Sequence, residues 1–376
     1  MNVLVMCSRG YGQTYSAVNT KSEYVAVGLR DAGCVVRILD SVRGWHNTSC
    51  EINTNSEGIE YVSFPKVLFC NTYSNIKIYK QILLKYHQRE GINHIIIGME
   101  YMPIFIMLAK CAKSCGYSVS TLSHEWHIGM RTKGIVKSIH KYWQDLFFGR
   151  YVDAIFPISH YLQAKCKRFG KPMMLLPILG RYDVLLSENV ENRFTYCADA
   201  GYLLRNKLIL DAFKILHTKH QNVSLSLVLF GTKEDMNDVR CTIEEMNIDP
   251  HVTILTQIAQ SELERLYASS LGLIIPLNPK YQPDVARFSQ KIAEYVASGR
   301  PIITSNVGEI PYYFTNKESA IIVDYTPSSY AHGMELLINN PILATEVGRN
   351  GYKIGRSNFN YIDYGIRLKN FISAIY

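Results

Sequence analysis

The chain has 376 residues, of which 47% are apolar and 19% are charged. This composition predicts a folded protein of two or three domains and argues against a disordered chain. No apolar run reaches the roughly 18 residues of a transmembrane helix, and the first residues lack the basic-then-apolar pattern of a signal peptide. Nine cysteines without paired spacing predict reduced thiols, so we expect a cytoplasmic protein.

The excess positive charge lies in the first half of the chain. Residues 1–190 contain 22 Lys and Arg against 13 Asp and Glu, whereas residues 191–376 contain 18 against 19. The halves therefore carry +9 and −1, which sum to the net charge of +8. A basic half favours an anionic partner such as nucleic acid, phospholipid or a phosphorylated substrate, although moderately basic surfaces also occur without one.

Short apolar segments alternate with helices in the first half. The predicted strands are Asn2–Cys7, Cys34–Leu39, His94–Ile97, Val119–Leu122, Ala154–Ile158 and Met173–Leu176. The predicted helices include one that ends near Ala32, then Ile76–His87 and Met102–Cys115. This alternation indicates a buried parallel sheet. Cys111 and Cys115 have no partner pair elsewhere, which favours core packing over metal binding.

The second half repeats this pattern. Its predicted strands are Phe194–Ala198, Ser224–Phe230, Val252–Leu255, Gly272–Pro276, Pro301–Thr304 and Ala320–Val323. Its predicted helices include Asn206–His217, Gln260–Ser269, Phe288–Ser298 and Ser329–Asn339. We therefore predict two α/β domains, residues 1–177 and 193–357, joined by a linker at 178–192. We expect a last helix, about Tyr361–Ile375 within 358–376, to pack either back on the first domain or on the second. Ligands of such domains bind beyond the carboxyl ends of the strands.

The most specific stretch runs from Arg287 to Pro311 and predicts a loop, a helix, a turn, a strand and a second loop. Ser289, Lys291 and Glu294 fall in the first turns of this helix. The helix start and the lysine favour a phosphate, and the carboxylate can accept hydrogen bonds from a ribose diol.

Phe288, the run Glu294–Pro301 and the run Val307–Pro311 resemble the donor-binding region of the group 1, family 4-like retaining glycosyltransferases. The resemblance covers the whole chain in layout and this region closely. It implies the GT-B fold, in which two Rossmann-like, doubly wound α/β domains face each other across a cleft. A generic strand–helix–strand unit is the alternative interpretation.

The resemblance also implies roles for single residues. Glu294 would bind the ribose of a nucleotide-sugar, and Lys291 would approach its diphosphate as a catalytic cation. The further donor-binding candidates in this stretch are Arg287, Phe288, Ser289, Gly308 and Glu309. One position departs from the family: Ala286 stands where its first Glu is expected, eight residues before the second. Asp284 is close by, but at a different spacing.

Loops after other strands add candidates on the donor side. Gly201, Arg205 and Lys207 resemble the family's Gly-rich loop and the two cations that neutralise the leaving diphosphate, which makes Lys207 a second catalytic candidate. An exposed helix start is the alternative for this group. Gly231 ends another strand, at the position where the family has a Gly-containing loop that faces the nucleotide base. Gly10 and Gly12 resemble the Gly-rich loop of the first domain, and no third glycine follows to form a dinucleotide fingerprint.

Polar residues also follow the strands of the first domain. By the resemblance, His124 would contact the donor sugar as a third catalytic candidate, with a structural histidine as the alternative. The acceptor-side candidates are Glu100, Glu125 and Arg131.

Residues 131–150 predict an amphipathic helix with basic residues beside its apolar face. Such a face is either buried on the sheet or in contact with anionic lipid. No aromatic–basic module indicates nucleic acid binding.

The resemblance implies a retaining glycosyltransferase that transfers a sugar from a nucleotide-sugar to a glycan or a lipid-linked, phosphorylated acceptor, as in bacterial surface polysaccharide synthesis. The chain contains no Asp-x-Asp pair, so we predict no metal and no cofactor beyond the donor. We expect a cytoplasmic enzyme, with contact to the inner face of the membrane left open. The alternatives are a nucleotide-sugar epimerase of GT-B fold and a catalytically silent GT-B subunit, which Ala286 favours.

Overall fold

The computed structural model describes residues 1–13, 16–68, 72–98, 100–128, 135–183 and 189–375. The chain forms two compact units. The first unit comprises residues 1–179, 286–288 and 360–376, and the second comprises residues 180–285 and 289–359. Within the described ranges, no helix is both long and apolar enough to cross a membrane.

A seven-stranded sheet forms the centre of the first unit, in the order β3-β4-β2-β1-β5-β6-β7. Its strands are β1 (Asn2–Met6), β2 (Val35–Leu39), β3 (Glu51–Thr54), β4 (Glu60–Ser63), β5 (His94–Ile97), β6 (Ser118–Ser123) and β7 (Ala154–Pro157). All pairs are parallel except β3 with β4. The β3–β4 hairpin was not predicted, because every residue of β3 is exposed and its sequence lacks an apolar run.

The predicted strand Met173–Leu176 is wrong. This segment contributes a single bridge, between Met173 and Ile155. Pro172 and Pro177 flank it, and proline has no backbone N–H with which to continue a ladder of hydrogen bonds.

Helices cover both faces of this sheet. They are α1 (Ala17–Asp31), α2 (Thr72–Glu90), α3 (Met102–Ser114), α4 (Ile135–Phe147) and α5 (His160–Cys166). Side chains that alternate along β1 enter two different cores: Leu4 packs with Ile95 and Leu108, whereas Val3 and Val5 face the opposite side. Cys111 and Cys115 are free thiols at the first of these cores.

The second unit contains a parallel six-stranded sheet in the order β10-β9-β8-β11-β12-β13. Its strands are β8 (Glu191–Asp199), β9 (Ser224–Phe230), β10 (Val252–Leu255), β11 (Ser270–Ile275), β12 (Ile302–Ser305) and β13 (Ile321–Val323). Its helices are α6 (Leu203–His217), α7 (Lys233–Glu245), α8 (Gln260–Ser269), α9 (Gln282–Ala286), α10 (Gln290–Ala297), α11 (Ile310–Tyr313), α12 (Pro327–Asn339) and α13 (Pro341–Asn358). Because all strands are parallel, the loops that follow them meet at one edge of the sheet.

The last helix, α14 (Tyr361–Ile375), packs against α1 in the first unit. Tyr361 stacks on Tyr24 with 5.6 Å between the ring centroids. Gly28 and Gly365 allow the two backbones to approach closely, since a Cβ atom on Gly365 would clash with the carbonyl group of Gly28. Lys369 donates a 2.7 Å hydrogen bond to the Ala32 carbonyl oxygen.

We predict that Gly365→Ala destabilises the protein by about 1–3 kcal/mol, because the added methyl group separates α14 from α1. Urea unfolding followed by circular dichroism measures this change. The control Asn370→Ala alters an exposed position of the same helix; equal stability of the two variants would contradict the close approach of the helices.

Candidate functional site

A buried hydrogen bond fixes α10 at the carboxyl end of β8. The fully buried Tyr295 accepts a 3.0 Å hydrogen bond from the Cys197 amide through its hydroxyl oxygen. The Tyr295 ring packs edge-on against Tyr267, with 4.9 Å between the centroids. The Tyr182 hydroxyl donates to the Ala293 carbonyl oxygen at 3.1 Å. The first turns of α10 are therefore held where β8 ends.

Lys291 and Glu294 are half-buried in the first two turns of α10. The Lys291 ammonium nitrogen lies 5.0 Å from the centre of the Phe230 ring, at the end of β9. Burial raises the pKa of the Cys197 thiol, and both Lys291 and Glu294 are close enough to influence it. Ser289 begins α10 without a capping hydrogen bond from its side chain, so the positive end of the helix dipole can meet another anionic partner.

Arg205 lies in an ion pair with a buried carboxylate. Its Nη2 atom is 2.7 Å from Oδ2 of Asp284, and the Asn278 amide donates to the same oxygen at 2.8 Å. The guanidinium group also stacks over the Tyr202 ring at 4.7 Å. Asp284, the carboxylate that the sequence places near Ala286, is thus engaged in orienting Arg205.

Gly201 and Gly231 come together at the ends of β8 and β9. The Gly201 amide donates to Oδ1 of Asp199 at 2.8 Å, and a Cβ atom on Gly201 or Gly231 would lie 3.2 or 3.4 Å from that oxygen. Lys207 lies on the exposed side of α6, where its ammonium pairs with Asp211 at 2.8 Å. Exposed pairs contribute little free energy, so Lys207 can exchange to an anionic ligand.

The loops after β12 and β13 contain residues that the sequence analysis missed. A cavity of about 510 Å³ lies there and is lined by Asn306, Tyr325 and His332, among others. Of the predicted residues nearby, Gly308 has a left-handed backbone with φ of 61°, and Glu309 is only 2% exposed. The three missed residues belong to no motif: Asn306 and Tyr325 closely follow strands, whereas His332 lies within α12.

The segment Ala286–Phe288 groups with the first unit. The Ser159 hydroxyl donates a 2.5 Å hydrogen bond to the Ala286 carbonyl oxygen. Arg287 forms an ion pair with Glu125, with 3.4 Å between Nη1 and Oε1. Phe288 is buried. Arg287, a predicted donor-binding residue, is therefore paired with Glu125, a predicted acceptor-side residue.

A chain of hydrogen bonds extends from Glu125 to α4. His127 lies 3.3 Å from Oε2 of Glu125 through Nε2 and 2.9 Å from Oδ1 of Asp145 through Nδ1. Burial alone would lower the pKa of His127, but the bonds to Asp145 and Glu125 raise it to about 9. The bond from His127 lowers the pKa of Glu125 to about 2 against the effect of burial, and Arg287 adds to that effect. The sequence did not indicate Asp145, because its partner His127 lies 18 positions away.

His124 follows β6 as a neutral imidazole. Burial lowers its pKa to about 3, and Lys21 adds to this effect. Its Nε2 atom is buried and has no hydrogen-bond partner among the residues that the structure describes. The fully buried Lys21 donates a 2.6 Å hydrogen bond to the Leu176 carbonyl oxygen, and burial lowers its pKa strongly. His124 can therefore give or take a hydrogen bond without carrying charge.

The loop after β1 turns at Gly10 and Gly12, with φ of 85° and 75°. Asp40 accepts a hydrogen bond from the Tyr11 amide at 3.3 Å, and burial raises the Asp40 pKa to about 6. Burial also raises the pKa of Glu100, whose carboxylate accepts from the Ser41 hydroxyl. Arg131 lies outside the described residues. Within the described ranges, no cluster of three or more His, Cys, Asp or Glu side chains could hold a metal ion.

Comparison with known proteins identifies a family domain in this chain. Residues 190–354 match the family model described as glycosyl transferases group 1. The chain carries a group 1 glycosyltransferase domain. The predicted resemblance to group 1 glycosyltransferases and the assignment as a glycosyltransferase are thereby confirmed. No curated protein matches the glycosyltransferase significantly in sequence.

Solved structures are similar to the glycosyltransferase over its whole length. The sucrose-phosphate synthase of Thermosynechococcus elongatus superposes with a TM-score of 0.77 at 13% identity, covering 100% of this chain and 99% of that one. Anabaena HepE in complex with UDP-glucose gives 0.75 at 10% identity, covering 100% of both chains. The pneumococcal O-GlcNAc transferase GtfA, in complex with UDP and GlcNAc, gives 0.71 at 10% identity, covering 100% and 99%. The predicted GT-B fold class is therefore confirmed.

We predict that Asp145→Asn flattens the pH dependence of the glycosyltransferase's stability and lowers its free energy of unfolding by about 2 kcal/mol near neutral pH. His127 has a raised pKa, so its contribution is complete below its unfolded pKa of about 6.5 and is lost as the pH rises through about 9. Removing the Asp145 charge removes part of that contribution.

Urea midpoints measured from pH 6 to pH 10 test this prediction. Asp363→Asn, at an exposed position of the first unit, serves as the control. A variant at position 145 whose midpoints fall as steeply as those of the wild type would refute the role of the hydrogen-bonded chain.

Proposed function

We propose that the glycosyltransferase moves a sugar from a nucleotide-sugar to a glycan or lipid-linked glycan acceptor, with retention of anomeric configuration and without a divalent metal. The placement of Lys291 and Glu294 on α10 carries this proposal. A cation at a helix start suits a diphosphate, and a carboxylate one turn later suits a ribose diol. The assignment of roles to these residues follows the family resemblance.

The similar structures favour a uridine nucleotide. HepE was solved with UDP-glucose, and GtfA was solved with UDP and GlcNAc. We therefore propose a UDP-sugar as the donor of this enzyme.

In the proposed reaction, positive charge replaces a metal ion at the leaving group. Lys291 and the start of α10 face the diphosphate, while Lys207 and Arg205 add charge from the start of α6. Asp284 holds Arg205 in one orientation at 2.7 Å, which reduces reorganisation during the reaction. The neutral imidazole of His124 would hydrogen-bond the donor sugar without adding charge.

The acceptor hydroxyl attacks the anomeric carbon on the face that the diphosphate leaves. The carbon–oxygen bond to the diphosphate breaks as the new glycosidic bond forms. A phosphate oxygen of the leaving diphosphate takes the proton of the acceptor hydroxyl, so no protein nucleophile is required. The products are a nucleoside diphosphate and a glycoside of unchanged anomeric configuration.

Ala286 favours a second candidate, a silent subunit that binds a nucleotide-sugar without turnover. Ala286 is buried, and its carbonyl oxygen accepts a hydrogen bond from the Ser159 hydroxyl. Because its side chain is a methyl group, this position supplies no carboxylate to a sugar. A nucleotide-sugar epimerase of the same fold differs in needing no acceptor.

Thermal shift with UDP, GDP, ADP and CMP, followed by assays of nucleoside diphosphate release with and without glycan acceptors, separates these functions. Transfer that continues in EDTA and gives a product of unchanged anomeric configuration by NMR supports the proposal. Binding without release favours the silent subunit, and epimerisation of the donor without acceptor favours the epimerase.

We predict that Glu294→Ala weakens UDP binding about ten- to hundredfold, because the ribose loses charged hydrogen bonds. Isothermal titration calorimetry measures the change. Glu346→Ala, which alters an exposed glutamate of the same unit, should bind UDP as the wild type does. If both variants bind equally, Glu294 does not contact the nucleotide.

We also propose that the exposed apolar residues of α4 contact an anionic membrane. Ile139, Tyr142 and Trp143 lie three and four residues apart and are 64%, 44% and 37% exposed. The opposite side of the helix buries Asp145. A helix with exposed aromatic and aliphatic side chains suits the lipid interface.

We predict that the double change Ile139→Ser and Trp143→Ser reduces sedimentation with vesicles of phosphatidylglycerol and phosphatidylcholine by at least about tenfold, because apolar area no longer enters the interface. Ile342→Ser, which alters an exposed isoleucine of the second unit, is the matched control. Equal sedimentation of wild type and double variant would remove the membrane contact from the proposed function.

A further inference from the structure

A cavity of about 410 Å³ lies in the first unit, between the start of α1, the loop after β1 and the β3–β4 hairpin. Its volume falls in the range of small-molecule sites. Short side chains with hydroxyl or amide groups dominate its lining: Ser16, Asn19, Thr20, Thr54, Asn55 and Ser56. None of the described residues that line it is Lys, Arg or His, so the cavity does not suit a phosphate.

One carboxylate of this cavity is held in a fixed orientation. Oε1 of Glu23 accepts hydrogen bonds from the Tyr11 hydroxyl and from Nδ2 of Asn55, both at 3.0 Å. The backbone amides of Glu57 and Ile59 fix Asn55 by donating to its Oδ1 at 3.1 and 2.8 Å. The hydrogen bonds from Tyr11 and Asn55 both go to Oε1, so they leave Oε2 of Glu23 facing a fixed direction. It is an oriented acceptor for a hydroxyl group.

A donor in the same lining complements this acceptor. Oδ1 of Asn19 accepts from the Ser8 amide at 2.8 Å, which identifies the other amide atom as nitrogen. Asn19 is only 5% exposed, and its Nδ2 has no hydrogen-bond partner among the described residues. A buried donor without a partner is costly, and a ligand oxygen would satisfy it after a small rotation of the side chain.

Tyr61 adds an aromatic surface to the polar lining. Its ring is half-buried and meets the Tyr11 ring edge-on, with 5.1 Å between the centroids. Its hydroxyl lies close to Gly12, where a Cβ atom would approach within 2.8 Å. The ring therefore stands at the wall of the cavity next to the loop that follows β1, where it offers a partly apolar face.

We propose that this cavity binds a neutral sugar residue of the acceptor. Neighbouring hydroxyl groups of a sugar both donate and accept hydrogen bonds, so they complement the acceptor on Glu23, the donor on Asn19 and the short hydroxyl side chains. The aromatic ring of Tyr61 suits the C–H face of a sugar. The described lining contains one carboxylate and no cation, which discriminates against anionic ligands. The role as an acceptor site rests on the proposed function, whereas binding of a neutral sugar stands on the cavity alone.

Saturation-transfer NMR on the full chain tests the proposal with methyl β-glucoside, methyl β-galactoside and methyl N-acetyl-β-glucosaminide. We expect at least one glycoside to bind the wild type. Glu23→Gln should weaken that binding about tenfold or more, because it removes the charged acceptor. Thr54→Val, which keeps the shape of an exposed strand residue, should weaken it about threefold and provides a second variant if Glu23→Gln does not fold.

Glu51→Gln is the matched control, because Glu51 is an exposed carboxylate of β3 outside the cavity. Binding by Glu51→Gln and not by Glu23→Gln supports the site. If no glycoside binds, or if the variants at positions 23 and 54 bind like the wild type, the proposal is overturned even when UDP-sugar turnover is observed. If a glycoside binds through Glu23 but no UDP-sugar is bound or turned over, the sugar site stands and only the proposed function falls.

Discussion

The hydrogen bond between the Cys197 amide and the Tyr295 hydroxyl is the constraint on which the position of α10 depends. A parallel strand ends with backbone groups that nearby residues must satisfy, and here a side chain of α10 satisfies one of them. Because Tyr295 is buried in the core, Lys291 and Glu294 on the same helix are held in fixed positions near the end of β8. One short helix thus carries both a core residue and two charged candidate residues.

Charged groups in the two units are organised differently. In the second unit, Arg205 is held by Asp284 and Lys291 stands over Phe230, so cations are preorganised beside strand ends. In the first unit, Glu125 and His127 form a chain that ends on the cation of Arg287. These three charged groups of the first unit are therefore paired with one another.

The sequence predicted the elements that bury apolar runs. The bounds of Ser224–Phe230, Gln260–Ser269 and the last helix agree with the structure, because each run is apolar or periodic and ends at a clear break. The exposed strand Glu51–Thr54 carries no such signal. Its hairpin forms through backbone pairing with β4, and hydrophobic periodicity does not report backbone pairing.

The candidate site was predictable only where a motif was available. Lys291 and Glu294 lie on one helix and were found from their spacing. The bond between His127 and Asp145 joins residues 18 positions apart, and the pair of Arg287 and Glu125 joins residues still further apart in sequence. Such contacts arise from the fold, so one sequence without its structure does not identify them.

The packing of α14 on α1 has a consequence for biosynthesis. About 180 residues separate position 179 from position 360, where the chain returns to the first unit after the short segment 286–288. At a synthesis rate of about 5–20 residues per second, this interval lasts about 10–40 seconds. During that time the apolar side of α1 that Leu368 and Ile372 later cover is open to solvent or to a chaperone. The first unit therefore begins to fold first but is completed last, after the second unit has been synthesised.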